Sequence, residues 1–101
     1  ATLGLAVEEI WEQSESYVAQ FPPRTEGLMV AKLRDDGPAK RAGLQLHDLI
    51  TAVDGAPVSL RDQLLSATRA KKPGQAVRLS VRRPGGNPFE LTITTAWLES
   101  M

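Results

Sequence analysis

The chain has 101 residues, with 12 basic and 12 acidic side chains, no cysteine and 42% hydrophobic residues. This length supports a single domain, and the balanced charge argues against a dedicated nucleic-acid binder. The lack of cysteine excludes disulfides, thiolate metal sites and a cysteine nucleophile. All apolar runs are far shorter than the roughly 20 residues that span a bilayer, so we expect no direct membrane insertion.

A first strand and a long connection are predicted before residue 27. Over residues 2–10, apolar residues alternate with small or polar ones in the period of a strand: Leu3, Leu5 and Val7. Gly4 lies inside this run, and because glycine weakens a strand, it indicates a close approach of another backbone or a tight bend. Residues 11–26 form a connection that is long for a compact domain, with room for a helical turn around residues 16–18.

Two further strands and a short helix are predicted next. Residues 27–34 predict a second, central strand, and residues 47–53 predict a third, which ends at the tight-turn signal Asp54-Gly55. Between these strands, Pro38 at the first turn and Gly43 just past the end are typical of a short helix.

The second half of the chain predicts a longer helix and a hairpin. Ser59, with Asp62 three residues later, forms a capping-box-like pair and predicts a helix over residues 59–71. Residues 76–83 and 89–94 alternate apolar and polar side chains, as expected for an antiparallel hairpin with one buried face. The predicted fold class is α+β: a partly open, five- to six-stranded antiparallel barrel capped by two α-helices. The first strand and the longer helix would border a groove.

Four segments of the chain resemble a known family. Residues 37–44, 48–50, 53–58 and 72–77 read GPAKRAGL, DLI, VDGAPV and KPGQAV. Together with the final hairpin, they resemble a PDZ domain of the type found in bacterial HtrA/Deg serine proteases, over nearly the whole chain. The resemblance implies a single PDZ-like peptide-binding domain over residues 1–101, excised from a larger protein.

The resemblance also implies where a peptide would bind. The loop that offers converging backbone N–H groups to the C-terminal carboxylate of a peptide would comprise Thr2, Leu3, Gly4 and Leu5. Glycine in such a loop keeps the backbone accessible and lets it curve; the alternative for Gly4 is a β-bulge. The strand that follows would add the peptide as a further strand along Ala6 and Val7.

The longer helix carries two neighbouring stripes of side chains. The more apolar stripe is assigned to the core and comprises Leu60, Leu64 and Ala67. The other stripe is assigned to the groove and comprises Arg61, Leu65 and Thr68. An apolar pocket for the last peptide side chain would be formed by Leu3, Leu5 and Leu65. Arg61 would either favour an acidic or polar peptide residue or be a solvated helix residue.

We expect no catalytic, metal or cofactor site. His47 is the only histidine, and without cysteine it leaves a structural metal site short of ligands. None of the serines lies in a Gly-x-Ser-x-Gly elbow that could complete a triad with His47. Asp48 and Asp54 are interpreted as turn residues. Trp11 and Trp97 either pack together, cover an exposed edge or contact a neighbouring domain.

The resulting hypothesis is a non-enzymatic module for substrate recognition or regulation in an HtrA/Deg-like serine protease of the bacterial periplasm or cell envelope. Its partners would be peptide or protein C-termini, unfolded hydrophobic segments and the protease domain of the same polypeptide, with no nucleic acid, and the isolated domain would be a monomer. The alternative is a structural or assembly PDZ module of a secretion-system component, or of an intramembrane or tail-specific protease. A trypsin-like domain upstream would favour the first hypothesis.

Overall fold

The computed structural model describes residues 4–72 and 74–95. The strands in these ranges are β1 (Leu5–Glu9), β2 (Leu28–Leu33), β3 (Leu49–Val53), β4 (Ala56–Pro57), β5 (Ala76–Arg82) and β6 (Phe89–Thr94). The helices are α1 (Glu15–Val18), α2 (Pro38–Arg41) and α3 (Arg61–Arg69), and a 3-10 turn spans Ile10–Glu12. None of the helices in the two described ranges is long and apolar enough to cross a bilayer.

The strands of the described ranges form one open antiparallel sheet. Its order is β1-β2-β3-β5-β6, and β4 pairs with β3 alone. β1 is therefore one edge of the sheet and β6 is the other, and because these two strands do not pair, the sheet is not closed. The predicted α+β class, with a partly open antiparallel sheet and capping helices, is confirmed.

The β5–β6 hairpin follows from the alternation in its sequence. Val77 and Leu79 are buried, and they lie opposite Ile93 and Leu91 in the strand register. Because successive side chains of a strand point to opposite faces, this pattern gives one buried face made of cross-strand apolar pairs. The hairpin prediction is confirmed.

A single hydrophobic cluster joins the sheet to helices α2 and α3. Ala39 of α2 and Leu64 of α3 belong to the same buried cluster as apolar residues of β1, β2, β3, β5 and β6. Full burial of a leucine side chain stabilises a fold by about 1.5–3 kcal/mol. Leu64, which is 3% exposed, is therefore a substantial part of what holds α3 against the sheet.

Helix α3 begins and ends differently from its prediction. It spans Arg61–Arg69 rather than residues 59–71. The predicted Ser59 cap is wrong: Oε1 of Gln63 accepts hydrogen bonds from the backbone N–H groups of Ser59 and Leu60, at 2.7 and 2.9 Å. The glutamine side chain thus reaches back over the first turn to donors at the helix entrance. Leu60, assigned to the core, precedes the helix and is exposed.

Strand β1 is shorter than predicted. It begins at Leu5, and Gly4 precedes it with a φ of +72°. The β1–β2 register shifts between Ala6 and Val7, so the irregularity in the pairing lies after the glycine. Residues of the earlier predictions that lie outside the described ranges are Thr2, Leu3 and Trp97.

The connection between β1 and β2 folds back onto the domain. The hydroxyl oxygen of Ser14 accepts a hydrogen bond from the N–H of Tyr17 at the start of α1, which confirms the predicted helical turn. The Tyr17 ring meets Phe21 edge-on, 5.3 Å between centroids, and its hydroxyl donates to the carbonyl of His47 at 2.7 Å. Burial, with a smaller contribution from Asp48, raises the pKa of Tyr17 to about 12, so this hydroxyl keeps its proton.

A buried carboxylate joins the start of β3 to the hairpin. Asp48 is 2% exposed; its Oδ2 accepts from the N–H of Gln45 at 2.9 Å, and Nε of Arg83 donates to its Oδ1 at 3.0 Å. The Arg83 guanidinium also lies over the Phe89 ring, 4.6 Å from its centroid. Asp48 is thus confirmed as a turn residue. His47 before it is an exposed turn residue with a φ of +72°.

Candidate functional site

Strand β1 and helix α3 lie side by side at one edge of the sheet, where the sequence predicts a groove. β1 pairs with β2 and with no other strand of the described ranges. An edge strand presents backbone N–H and C=O groups along its open side, with which a further strand can pair. α3 packs beside β1, and its first residue, Arg61, contacts Glu9 at the end of the strand.

Gly4, just before β1, packs closely against the turn that precedes α2. A Cβ atom added to Gly4 would lie 3.0 Å from Cα of Gly37 and 3.3 Å from Cδ of Pro38. The Gly4 carbonyl accepts a hydrogen bond from the N–H of Arg34 at 2.9 Å. With a φ of +72°, any side chain here would also strain the backbone. The predicted close backbone approach is confirmed, and it holds the segment that leads into β1.

The residues of β1 that were assigned to peptide binding alternate in exposure. Leu5 is half-buried and packs against the core, Ala6 is exposed, and Val7 is buried. This alternation is the ordinary pattern of a strand with one face on the core. Thr2 and Leu3 lie outside the described residues, so the pocket of Leu3, Leu5 and Leu65 stays a prediction.

The α3 residues that were assigned to the groove also differ in exposure. Arg61 is exposed and Leu65 is 44% exposed, whereas Thr68 is buried. The Thr68 hydroxyl donates to the carbonyl of Leu65 at 3.0 Å. Leu64, on the neighbouring stripe, is buried in the core as predicted. α3 therefore presents Leu65 as an exposed apolar side chain.

Glu9 joins the end of β1 to the beginning of α3. Its Oε2 accepts a hydrogen bond from the N–H of Arg61 at 3.1 Å, and its Oε1 lies 3.5 Å from the Arg61 guanidinium. Oε1 of Glu12 lies 3.5 Å from the same guanidinium. A carboxylate at a helix N-terminus accepts from an open N–H donor and complements the helix dipole. Sequence reasoning missed this role because 52 residues separate the partners and no local spacing signals the contact.

The other end of α3 is held by the turn between β3 and β4. Nζ of Lys71 lies 2.9 Å from Oδ2 of Asp54, and Oδ1 of Asp54 accepts from the N–H of Arg78 at 3.0 Å. The hydrogen bond from Arg78, followed by the one from Lys71, holds the pKa of Asp54 below its ordinary value. Asp54 lies in a turn as expected, but its side chain pairs with Arg78 and Lys71 rather than within that turn. One carboxylate thus contacts the first residue of α3, and another pairs with Lys71 two residues past its end.

Several carboxylates in the two described ranges hold the backbone in place. Asp48, Asp54 and Glu9 each accept a hydrogen bond from a backbone N–H group. Within these ranges no three His, Asp or Glu side chains are grouped so that they could hold a metal ion. The surface beside β1 and α3 combines the open edge of a strand with the exposed apolar side chain of Leu65.

An open antiparallel sheet with a helix beside its edge strand and a tightly packed glycine at the start of that strand is the architecture of the PDZ fold. A family model described as PDZ domain matches residues 3–95. The chain therefore belongs to the PDZ domain family, and the resemblance noted in its sequence is confirmed.

This domain is similar to parts of HtrA-type proteases. A probable periplasmic serine endoprotease, DegP-like, of Pseudomonas fulva is 34% identical over 84 residues, which are 82% of this chain and 17% of the relative. The HtrA3 PDZ domain bound to a phage-derived ligand, FGRWV, has a TM-score of 0.73 at 27% identity, over 92% of this chain and 82% of that chain. The HtrA-type protease AlgW with tripeptide has a TM-score of 0.81 at 28% identity, over 94% of this chain and 31% of that chain. The chain spans about a fifth of the length of the curated relatives.

Proposed function

We propose that this chain binds C-terminal or extended hydrophobic peptides by strand addition in the groove between β1 and α3. The observation that carries the proposal is the edge position of β1 beside α3. A peptide antiparallel to β1 would extend the sheet through main-chain hydrogen bonds, and alternate side chains would face α3. The FGRWV ligand of the similar HtrA3 domain supports this mode of use.

In this proposal the peptide carboxylate lies at the loop formed by Thr2, Leu3, Gly4 and Leu5. Successive backbone N–H groups in a curved segment make a concavity that suits an anion. The close packing of Gly4 on Gly37 supports such a role, because it fixes the backbone at Gly4 before the ligand arrives.

The last peptide side chain would lie in an apolar pocket that includes Leu5 and Leu65, with Thr68 beneath it and Ala6 and Val7 pairing along the strand. Arg61 would stand further along the groove. Its guanidinium already lies 3.5 Å from carboxylate oxygens of both Glu9 and Glu12, so an acidic peptide residue would compete with two partners. We therefore expect Arg61 to contribute little to the choice of peptide.

Replacing Leu65 with alanine tests the groove directly. The chain offers a matched control, because Leu60 and Leu65 are each 44% exposed. Leu65→Ala should weaken FGRWV binding about tenfold by calorimetry, the effect of losing roughly 1.4 kcal/mol of apolar contact, while Leu60→Ala should leave it unchanged. If both substitutions changed the affinity for FGRWV equally, the assignment of Leu65 to the groove would be contradicted.

The carboxylate loop has its own test. FGRWV with a C-terminal amide should bind at least about tenfold more weakly than the free acid, since charge-assisted hydrogen bonds to the carboxylate are lost. If the amide binds as tightly as the free acid, strand addition still stands, but the peptide carboxylate does not contribute to binding.

We further propose that the module recognises substrates or regulates a serine protease domain of the same polypeptide, in the bacterial periplasm or cell envelope. The periplasmic and protease names of relatives about five times longer support this role. In the longer protein, a bound C-terminal peptide should change the rate of cleavage of a separate reporter substrate, and Leu65→Ala should reduce that response. The isolated chain should sediment as a monomer.

A further inference from the structure

The connection between β1 and β2 forms an apolar concavity just past the end of β1. It has a volume of about 520 Å³ and is lined chiefly by apolar residues, including Ile10, Trp11, Val18, Phe21 and Pro22. Trp11 is 62% exposed and Val18 is 38% exposed, although both are large apolar side chains. Exposed apolar side chains around a concavity of this size are typical of a binding surface.

The concavity continues the edge along which a peptide would pair. Ile10 and Trp11 follow directly on Glu9, the last of the five residues of β1. Antiparallel strands pair residue for residue. A peptide whose last residue lies opposite Leu5 therefore has its fifth residue from the C-terminus opposite Glu9. Pairing ends at Glu9, because Ile10–Glu12 form a 3-10 turn, and the sixth and seventh residues from the C-terminus then run past this turn beside the concavity.

We propose that this concavity is an upstream subsite for a large apolar side chain, located at the sixth or seventh residue from the peptide C-terminus. The inference rests on the proposed function, because it needs a peptide paired with β1. The occupant is a further part of that same peptide, since the concavity begins where the strand edge ends. Its lining selects an aliphatic or aromatic side chain over a polar one.

Three peptides test the subsite: FGRWV, the octapeptide SLLFGRWV, and the matched octapeptide SSSFGRWV. SLLFGRWV should bind the unmodified chain about three- to tenfold more tightly than SSSFGRWV, as expected from partial burial of a leucine. This advantage should disappear in Trp11→Ala, whereas FGRWV should bind that variant and the unmodified chain equally. Leu46→Ala, which removes another exposed apolar side chain (52%) outside the concavity lining, should keep the advantage.

The outcomes separate this inference from the proposed function. Equal binding of the two octapeptides, or an advantage that survives in Trp11→Ala, would overturn the subsite while the binding of FGRWV still upheld the groove. Failure of FGRWV to bind the unmodified chain would overturn both. Because Trp11 is largely exposed, the substitution should leave the unfolding temperature unchanged, which a thermal melt checks.

Discussion

The two ends of the candidate groove are fixed by different kinds of interaction. At the beginning of β1, Gly4 packs its backbone onto Gly37, with no room for a side chain. At the end of β1, Glu9 and Glu12 reach Arg61 through long side chains, at distances of 3.1 to 3.5 Å. Close backbone packing tolerates almost no substitution, whereas partly exposed charged side chains can adjust. We therefore expect the first end to be rigid and the second to be adaptable.

The largest effect is expected at the rigid end. Gly4→Ala should destabilise the domain by about 2–3 kcal/mol, because it adds a clash with Gly37 to the strain of a left-handed alanine. Gly85→Ala is a matched control, since Gly85 has a φ of +74° but no atom within 4 Å of an added Cβ. Gly85→Ala should lower the free energy of unfolding by only about 1 kcal/mol. Equal losses in urea unfolding would show that packing on Gly37 does not matter.

A smaller effect is expected at the adaptable end. Glu9→Ala removes the acceptor of the Arg61 N–H and should cost about 1 kcal/mol, with faster hydrogen exchange in the first turn of α3. Glu9→Gln keeps a side-chain oxygen and should recover part of that loss. Glu8→Ala is the control: Glu8 accepts a hydrogen bond from the side chain of Gln13 rather than from α3. If Glu8→Ala and Glu9→Ala show the same rate of amide hydrogen exchange in the first turn of α3, Glu9 does not hold the helix.

A site away from both ends separates stability from binding. His47 adopts a φ of +72°, which costs a residue with a side chain more than it costs glycine. His47→Gly should therefore raise the unfolding temperature by about 2–4 °C, after allowance for the greater freedom of glycine in the unfolded chain. Arg69→Gly, at an exposed position of α3, should lower it. A His47→Gly variant that changes FGRWV affinity would argue that the turn and the groove are coupled.

The smallest effect concerns how the contribution of Asp54 to stability depends on pH. The folded state lowers the pKa of Asp54, so its contribution to stability is complete above the unfolded pKa of about 3.9 and is lost as the pH falls through that value and the lower folded one. Asp54→Asn should therefore lose less stability than the unmodified chain between about pH 5 and pH 3. If the curves of stability against pH run parallel for the unmodified chain and Asp54→Asn, the charge of Asp54 contributes nothing to stability.

Local signals predicted most of the fold. The alternation in the hairpin, the Pro38–Gly43 bracket of α2 and the unusual Gly4 each depend on residues close in the sequence, and the structure agrees with all three. Helix α3 was predicted, but its cap was not: Ser59 was the expected residue by type, and the side chain of Gln63 takes its place.

The contacts around the candidate groove depend on residues far apart in the sequence. Glu9 and Arg61 are 52 residues apart, and Asp54 meets the N–H of Arg78 across 24 residues. Pairing of this kind leaves no period or spacing in the sequence, because it is created by the fold. The same holds for the concavity beside Trp11, which is formed when residues 18–25 of the connection come beside Ile10 and Trp11.

The most direct test of strand addition is a titration of the isotope-labelled chain with FGRWV, followed by backbone amide shifts. Strand addition predicts that the largest shifts fall on Leu5–Glu9 of β1 and on Leu65 in α3, with slower hydrogen exchange at the β1 edge. The other edge of the sheet, β6, serves as an internal control and should not respond. Shifts centred on Phe89–Thr94 of β6, with β1 and α3 unchanged, would contradict the account.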